Sequence, residues 1–335
     1  MALWKFLRRN KEEERFILCL DGGGMRGVIP ATLLAHLDTL LKKLGDTRPL
    51  WSHFDLISGT STGGLLALAL SAPYKERSLM NQNPSDPRSF NVDELAHLYI
   101  NYGHIIFPKS NSFLQLNMIG QLFGEKYDDG PLNQVLLDTF SDTRMGEALT
   151  PSMVVTYDIT RDRPFIISSY DTPTIMMRTA ARATSAAPTY FSPVSLHNSQ
   201  LVDGGVVANN PVLYAYKEAK RLYPNAKKFH ILSLSTTTAP FRNESDDSPS
   251  GVIGWLDPIY KLYASSQMKT SDEIASSLSD VTYVRIHQQL EKKIRLDETR
   301  SESLSQLIHI AQQMYDSHLE VLTTYCNKLI QKPTR

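Results

Sequence analysis

A run of apolar residues, Phe16-Ile17-Leu18-Cys19-Leu20, stops abruptly at Asp21 and three glycines. A short continuous apolar run bounded by a turn signal reads as a strand buried on both faces. After Arg26-Gly27 the period changes. Leu33, Leu34, Leu37, Leu40, Leu41 and Leu44 recur at three- and four-residue spacing, which predicts a helix, and Gly45 stops it. The plan then repeats: 54–57 reads as a buried strand, 59–64 as a turn and 65–70 as the start of a buried helix. Strand, glycine turn and helix, twice in succession, predict a parallel sheet with helices on its faces.

Beyond this the pattern is sparser. Residues 73–91, with Pro73, Pro84 and Pro87, read as an irregular connection. Residues 104–123 carry Ile, Phe, Leu and Met with little charge, and read either as a rim or lid facing lipid or as packed core. A helix is expected over 132–140 and strands over 153–157, 165–168, 201–202 and 229–234. Residues 242–251 read as a surface loop. One long amphipathic helix is expected at the end, with Leu304, Leu307, Ile308, Ala311, Tyr315, Leu319, Leu322 and Cys326 on one face. It reads as a packed element, or alternatively as the interface of a homo-oligomer. The resulting division is an N-terminal arm over 1–14, a catalytic domain over 15–240 and a mainly helical extension over 241–335 packed on the same domain.

Composition narrows the classes. The chain has 335 residues, and its 35 Lys+Arg balance its 35 Asp+Glu. That balance argues against a nucleic-acid polymer as partner. Its 2 cysteines, Cys19 and Cys326, exclude a disulfide framework and a cysteine-rich zinc site. No apolar run is long enough to span a bilayer. The basic N-terminus is followed by Glu12-Glu13-Glu14 without a long apolar segment, so no signal peptide is expected. Together these suggest a soluble protein of a reducing compartment.

Candidate chemistry lies in the turns. Gly59-Thr60-Ser61-Thr62-Gly63 is a G-x-S-x-G sequence between strand and helix. A serine nucleophile must stand on a sharp, crowded turn, and flanking glycines remove the side chains that would clash there. Gly22-Gly23-Gly24-Met25-Arg26-Gly27 satisfies G-x-G-x-x-G, so a nicotinamide-dependent oxidoreductase competes. That reading wants an acidic residue at the end of the second strand. Asp38 falls in the helix and Asp55 at the strand's beginning, and its end holds Ser58 to Ser61. The alternative gives the glycine loop's N–H groups to an oxyanion, with Arg26 orienting the loop or meeting a phosphate. No histidine sits in a glycine-rich turn, and His230 reads as a structural residue inside a strand. Asp203, in Val202-Asp203-Gly204-Gly205, is the best base candidate.

Asp21 to Gly27, Gly59 to Gly64, Ala183-Thr184-Ser185-Ala186-Ala187-Pro188-Thr189-Tyr190-Phe191, Asp203-Gly204-Gly205 and Asn209-Asn210-Pro211, in this order, resemble the patatin-like phospholipase family, in its compact bacterial form. The resemblance implies a three-layer α/β/α fold with a mainly parallel central sheet. It implies a Ser61–Asp203 dyad without histidine, an oxyanion hole around Gly23, Gly24 and Arg26, and motif glycines Gly22, Gly27, Gly59, Gly63, Gly204 and Gly205. The implied reaction is hydrolysis of acyl esters in membrane glycerophospholipids, without a metal, by a cytoplasmic protein peripheral at the inner membrane when active. Non-specific carboxylesterase and lysophospholipase activity are the alternatives within that class, and a non-enzymatic lipid binder lies outside it. Some bacterial relatives are antiphage effectors switched on by cyclic nucleotides. The resemblance permits that role and that activator, and no residue demonstrates either.

Overall fold

In a computed structural model, residues 14–76, 78–108, 125–238, 251–291 and 294–332 are described, with the side chains of 251–261 left aside. The expected arm (apart from Glu14), most of the apolar 104–123 stretch and most of the 242–251 loop lie outside these residues.

The central sheet has strands β1 (Glu14–Leu20), β2 (Leu56–Thr60), β5 (Ser152–Asp158), β6 (Arg163–Ser168), β7 (Val194–Leu196), β8 (Ser199–Asp203), β9 (Lys228–Leu234) and β10 (Val281–Ile286). A separate hairpin pairs β3 (Gln82–Asn83) with β4 (Asp86–Phe90). The five strands β10, β9, β1, β2 and β5 run parallel in that order, and β6 and β8 pair antiparallel with β5. Strand β1 explains its own apolar run. Phe16, Leu18 and Leu20 enter one core, while Ile17 and Cys19 enter a second core on the opposite face. A strand buried on both sides has no polar face to alternate with.

The larger core lies under helices α1 (Val28–Lys43), α2 (Thr62–Ser71), α3 (Leu95–Ile106), α4 (Asp129–Phe140), α5 (Met177–Thr184), α8 (Ser301–Ser317) and α9 (Leu319–Ile330). The other lies under α6 (Val212–Leu222) and α7 (Gly251–Ser277). Two helical layers around a mainly parallel sheet make the three-layer α/β/α fold expected. Gly45 ends α1 as anticipated. It sits at φ +91, its N–H bonds Lys42 O at 3.0 Å, and the next N–H, of Asp46, reaches back to Leu41 O at 2.9 Å. This is the paired bonding of a left-handed helix stop.

Four details differ from expectation. Strand β2 runs on through Gly59 and Thr60, which pair with Val154 and Val155, so the turn shrinks to Ser61. The 73–91 connection contains the β3–β4 hairpin. The C-terminal part adds β10 to the sheet edge, in register from Val281 opposite Phe229 to Ile286 opposite Leu234. The terminal helix is two helices, broken at His318. There the Ser317 hydroxyl and the His318 ring both engage Met314 O, competing for a carbonyl that would otherwise continue the ladder.

Candidate active site

Strand pairing brings Ser61 and Asp203 together. β6 occupies one edge of β5 along its length, from Met153 to Asp158. β2 and β8 therefore share the other edge. β2 takes Ser152 to Val155 and β8 takes Thr156 to Asp158, running in the opposite direction. Their C-terminal ends meet head to head, Thr60 opposite Val155 and Asp203 opposite Thr156. Ser61 follows Thr60 directly.

Ser61 has φ 53 and ψ −126, a strained backbone for a residue with a side chain, and it caps α2. The bend forces close approach. A Cβ at Gly59 would lie 2.1 Å from Gly63 O, and one at Gly63 would lie 2.1 Å from Leu20 O. These two glycines are steric requirements of the turn. Thr184 holds it from outside: its hydroxyl accepts the Ser61 N–H at 3.0 Å and donates to Val155 O at 2.6 Å. Two residues on, Ala186 O accepts the Asp203 N–H at 3.0 Å. The block around Ala183 thus anchors the backbone of both candidate catalytic residues. Tyr99 holds the next residue, its hydroxyl 2.6 Å from Thr62 Oγ1.

The glycine loop lies beside them. Gly22 N–H donates to Asn209 O at 3.0 Å and Met25 N–H to Leu296 O at 2.7 Å. Arg26 N–H donates to Gly23 O at 3.2 Å, which closes the turn. The N–H groups of Gly23 and Gly24 have no acceptor among the described residues. The Gly22 carbonyl receives Thr236 Oγ1 at 2.5 Å and Asn209 Nδ2 at 3.0 Å. A trans peptide points its C=O and N–H oppositely, so pinning that carbonyl orients the Gly23 N–H. Arg26 bonds Gly23 O and Thr237 O at 3.4 and 3.3 Å, so its side chain braces the loop. Gly24 at φ +56 is packed against Leu296, where a Cβ would sit 2.3 Å from the carbonyl oxygen.

Asp203 is buried, and burial pushes its carboxyl up from 3.8 to about 6, against hydrogen bonding from the Ser61 hydroxyl and the Gly205 N–H. The latter reaches Asp203 Oδ1 at 2.7 Å. Burial thus gives a carboxylate a basicity closer to that of a useful general base near neutral pH. A carboxylate in the role of base must be ionised, so with Asp203 in that role kcat/KM should fall tenfold per pH unit below about 6, in a single acid limb. A flat profile from pH 5 to 8 in a rapid ester assay would contradict this.

Both residues line a cavity of about 560 Å³. One wall is apolar, with Leu98, Ile106, Leu132, Val135, Leu136 and Phe140 from α3 and α4. No histidine lines it among the described residues. His230 sits in β9, 3.0 Å from Glu14 Oε2 and stacked on Phe16, as a structural residue. Of the carboxylates a dinucleotide would need, Asp38 pairs with Lys42 at 2.6 Å, and Asp55 accepts the Phe16 N–H at 2.8 Å. Cys19 is buried and its thiol is pushed up to about 12.

Sequence reasoning missed Arg285. It rises from β10 beneath the glycine loop, bonds Asp21 through both Nη atoms at 2.9 and 2.5 Å, and reaches Asp272 at 3.3 Å. Nothing near Asp21 in the chain signals a partner 264 residues away. Asn209 and Thr236 were likewise invisible as loop anchors, although Asn209 lies in a recognised block.

A family model described as patatin-like phospholipase matches residues 18–216. Patatin-like protein 2 of Oryza sativa subsp. indica is 31% identical over 90% of this chain and 84% of its own length. Patatin-like protein 2 of Arabidopsis thaliana is 32% identical over 81% of this chain and 74% of its own. Patatin-01 of Solanum tuberosum is 29% identical over 96% and 85%. Among solved structures, VipD from Legionella pneumophila aligns with a TM-score of 0.42 at 12% identity, over 91% of this chain and 67% of that one.

Proposed function

We infer the reaction from one premise: this chain belongs to the patatin-like phospholipase family. Membership makes it a lipid acyl hydrolase in general terms. The finer reading is a phospholipase A-type serine hydrolase that cleaves acyl esters of glycerophospholipids and releases free fatty acid. The observation that supports it is a strained serine beside a buried aspartate at one cavity with an apolar wall.

In this reading Asp203 accepts the Ser61 proton as Oγ attacks the acyl carbonyl, and the Gly23 and Gly24 N–H groups receive the oxyanion. Collapse of the tetrahedral intermediate breaks the ester C–O bond. The leaving alcohol takes the proton from Asp203. Water then attacks the acyl-enzyme, giving its proton to Asp203, and the fatty acid leaves as Ser61 recovers the proton. Gly59, Gly63 and Gly204 shape the turns, Gly205 holds the Asp203 carboxylate, and Arg26 braces the loop. The apolar wall takes the acyl chain, whose burial contributes about 0.8 kcal/mol per methylene.

A fluorophosphonate probe should label Ser61, and labelling should abolish fatty-acid release from phosphatidylglycerol vesicles in proportion. Labelled protein that never acts on diacyl lipid, only on lysolipid or short esters, would shift the reading to lysophospholipase or carboxylesterase. Hydrolysis undiminished by full labelling would sink it. Adding cyclic mono- and dinucleotides to the same assay tests the activation, and with it the defence role, that the family resemblance permits. No helix among the described residues is long and apolar enough to cross a membrane, and we propose reversible contact with the bilayer surface.

A further inference from the structure

The cavity's lining differs in polarity from one element to the next. Its apolar wall comes from α3 and α4, on the larger core's side of the sheet. From α7 and from residues 289 and 294–296 come Ser265, Ser266, Lys269, Gln289 and Arg295, interspersed with apolar side chains such as Met268 and Ile294. Ser61 lines the same cavity.

Charge is just as uneven. The cavity's described lining holds three cations, Arg26, Lys269 and Arg295, and a single carboxylate, Asp203. Arg26 is engaged by the glycine loop. Lys269 is exposed and has no acidic partner among the described residues. The carboxylate one turn on, Asp272, is taken by Asn210, Tyr283 and Arg285. Arg295 is held by Asp297, Nε at 2.9 Å and Nη2 at 3.0 Å, and its Nη1 has no partner among the described residues. Asp297 does not neutralise it, because Lys126 bonds the same carboxylate. Lys126 also stands 5.1 Å over the ring of Tyr190, another cavity residue. Two cations on one carboxylate leave an excess positive charge at the cavity's edge.

We propose that Lys269 and Arg295 form a phosphodiester subsite that receives the headgroup phosphate of a glycerophospholipid while its acyl chain lies along the α3–α4 wall. A guanidinium already oriented by one carboxylate presents its remaining donor at little entropic cost, and a lone ammonium supplies the second charge-assisted bond. The proposal rests on the hydrolase reading above and names which ester that site prefers: a phosphodiester-bearing lipid over a neutral glyceride.

The test compares two monomeric short-chain substrates, dihexanoylphosphatidylcholine and dihexanoylglycerol, so that vesicle adsorption plays no part. In the variant Lys269→Ala/Arg295→Ala, with folding checked by circular dichroism, the ratio of kcat/KM for phospholipid over diglyceride should fall about tenfold or more, chiefly through KM. Lys269→Arg should keep most of the wild-type ratio. An unchanged ratio in the folded double variant overturns the subsite. Glycerophosphocholine and a cyclic mononucleotide form the second arm, as inhibitors of diglyceride hydrolysis. Competitive inhibition by glycerophosphocholine that is lost in the double variant supports the headgroup. Selective inhibition by the cyclic nucleotide alone would assign the cations to a soluble phosphodiester and overturn the headgroup proposal. Failure of the underlying reading is separate: it shows as hydrolysis of both substrates by Ser61→Ala.

Discussion

Asp203→Asn is expected to remove nearly all ester hydrolysis and, at pH 8, to make the protein more stable. The activity loss follows from the base: an amide oxygen can hold the Gly205 N–H but cannot take the Ser61 proton. A positioned general base contributes about 10²–10⁴ in rate. Ser61→Ala should cost at least as much, and the double variant little more, because the two act as one unit. The stability gain follows from linkage. Burial raises the folded-state pKa of Asp203 from 3.8 to about 6, so the folded protein binds that proton more tightly than the unfolded chain does. The associated stability is complete below the unfolded value and is lost as pH rises through about 6. At pH 8 the deficit is about 3 kcal/mol. Asparagine does not ionise and escapes it. Urea midpoints for the two proteins should therefore separate at pH 8 and converge near pH 4. An Asn variant that is active, or no more stable at pH 8 than at pH 4 relative to wild type, would refute the assignment of Asp203 as a buried base.

Arg285→Met should destabilise the fold by about 3–5 kcal/mol, the usual cost of leaving a buried charge without its partner. Burial works against the Arg285 charge, but Asp21, together with Tyr283 and Asp272, outweighs it and holds the guanidinium above its ordinary value. Removing the guanidinium strands the Asp21 carboxylate directly before Gly22, whose carbonyl orients the Gly23 N–H. Activity should thus fall together with stability. Asp21→Asn/Arg285→Met should recover part of the lost stability, since it removes both charges. A single variant with an unchanged denaturation midpoint would mean that the pair contributes nothing.

Two helix ends show where local reading works and where it stops. The stop of α1 at Gly45 was legible because its cause is local: a left-handed residue and two backward bonds within one turn. The break at His318 was not, because the Leu and Ile spacing continues across it and only two polar side chains on Met314 O interrupt it. β10 was missed for another reason. Val281-Thr282-Tyr283-Val284-Arg285-Ile286 is short and carries a charge. It becomes a strand by pairing with β9, and Arg285 is tolerated there because its guanidinium reaches Asp21, just past the end of β1.

The amino-acid sequence by itself determined the two strand–glycine–helix units, the position of the serine turn and the family. Each depends on residue types a few positions apart, where sterics at Gly59 and Gly63 and apolar period act directly. Asp203 was already the best base candidate in the sequence, and tertiary structure supplied the reason that it stands beside Ser61: β2 and β8 approach one edge of β5 from opposite ends. It also decided that Asp203 is basic, since desolvation is a property of everything packed around a carboxyl and not of its neighbours in the chain. The zero net charge takes its meaning from the fold in the same way: the charges cancel over the whole chain, while at the cavity three cations face one carboxylate.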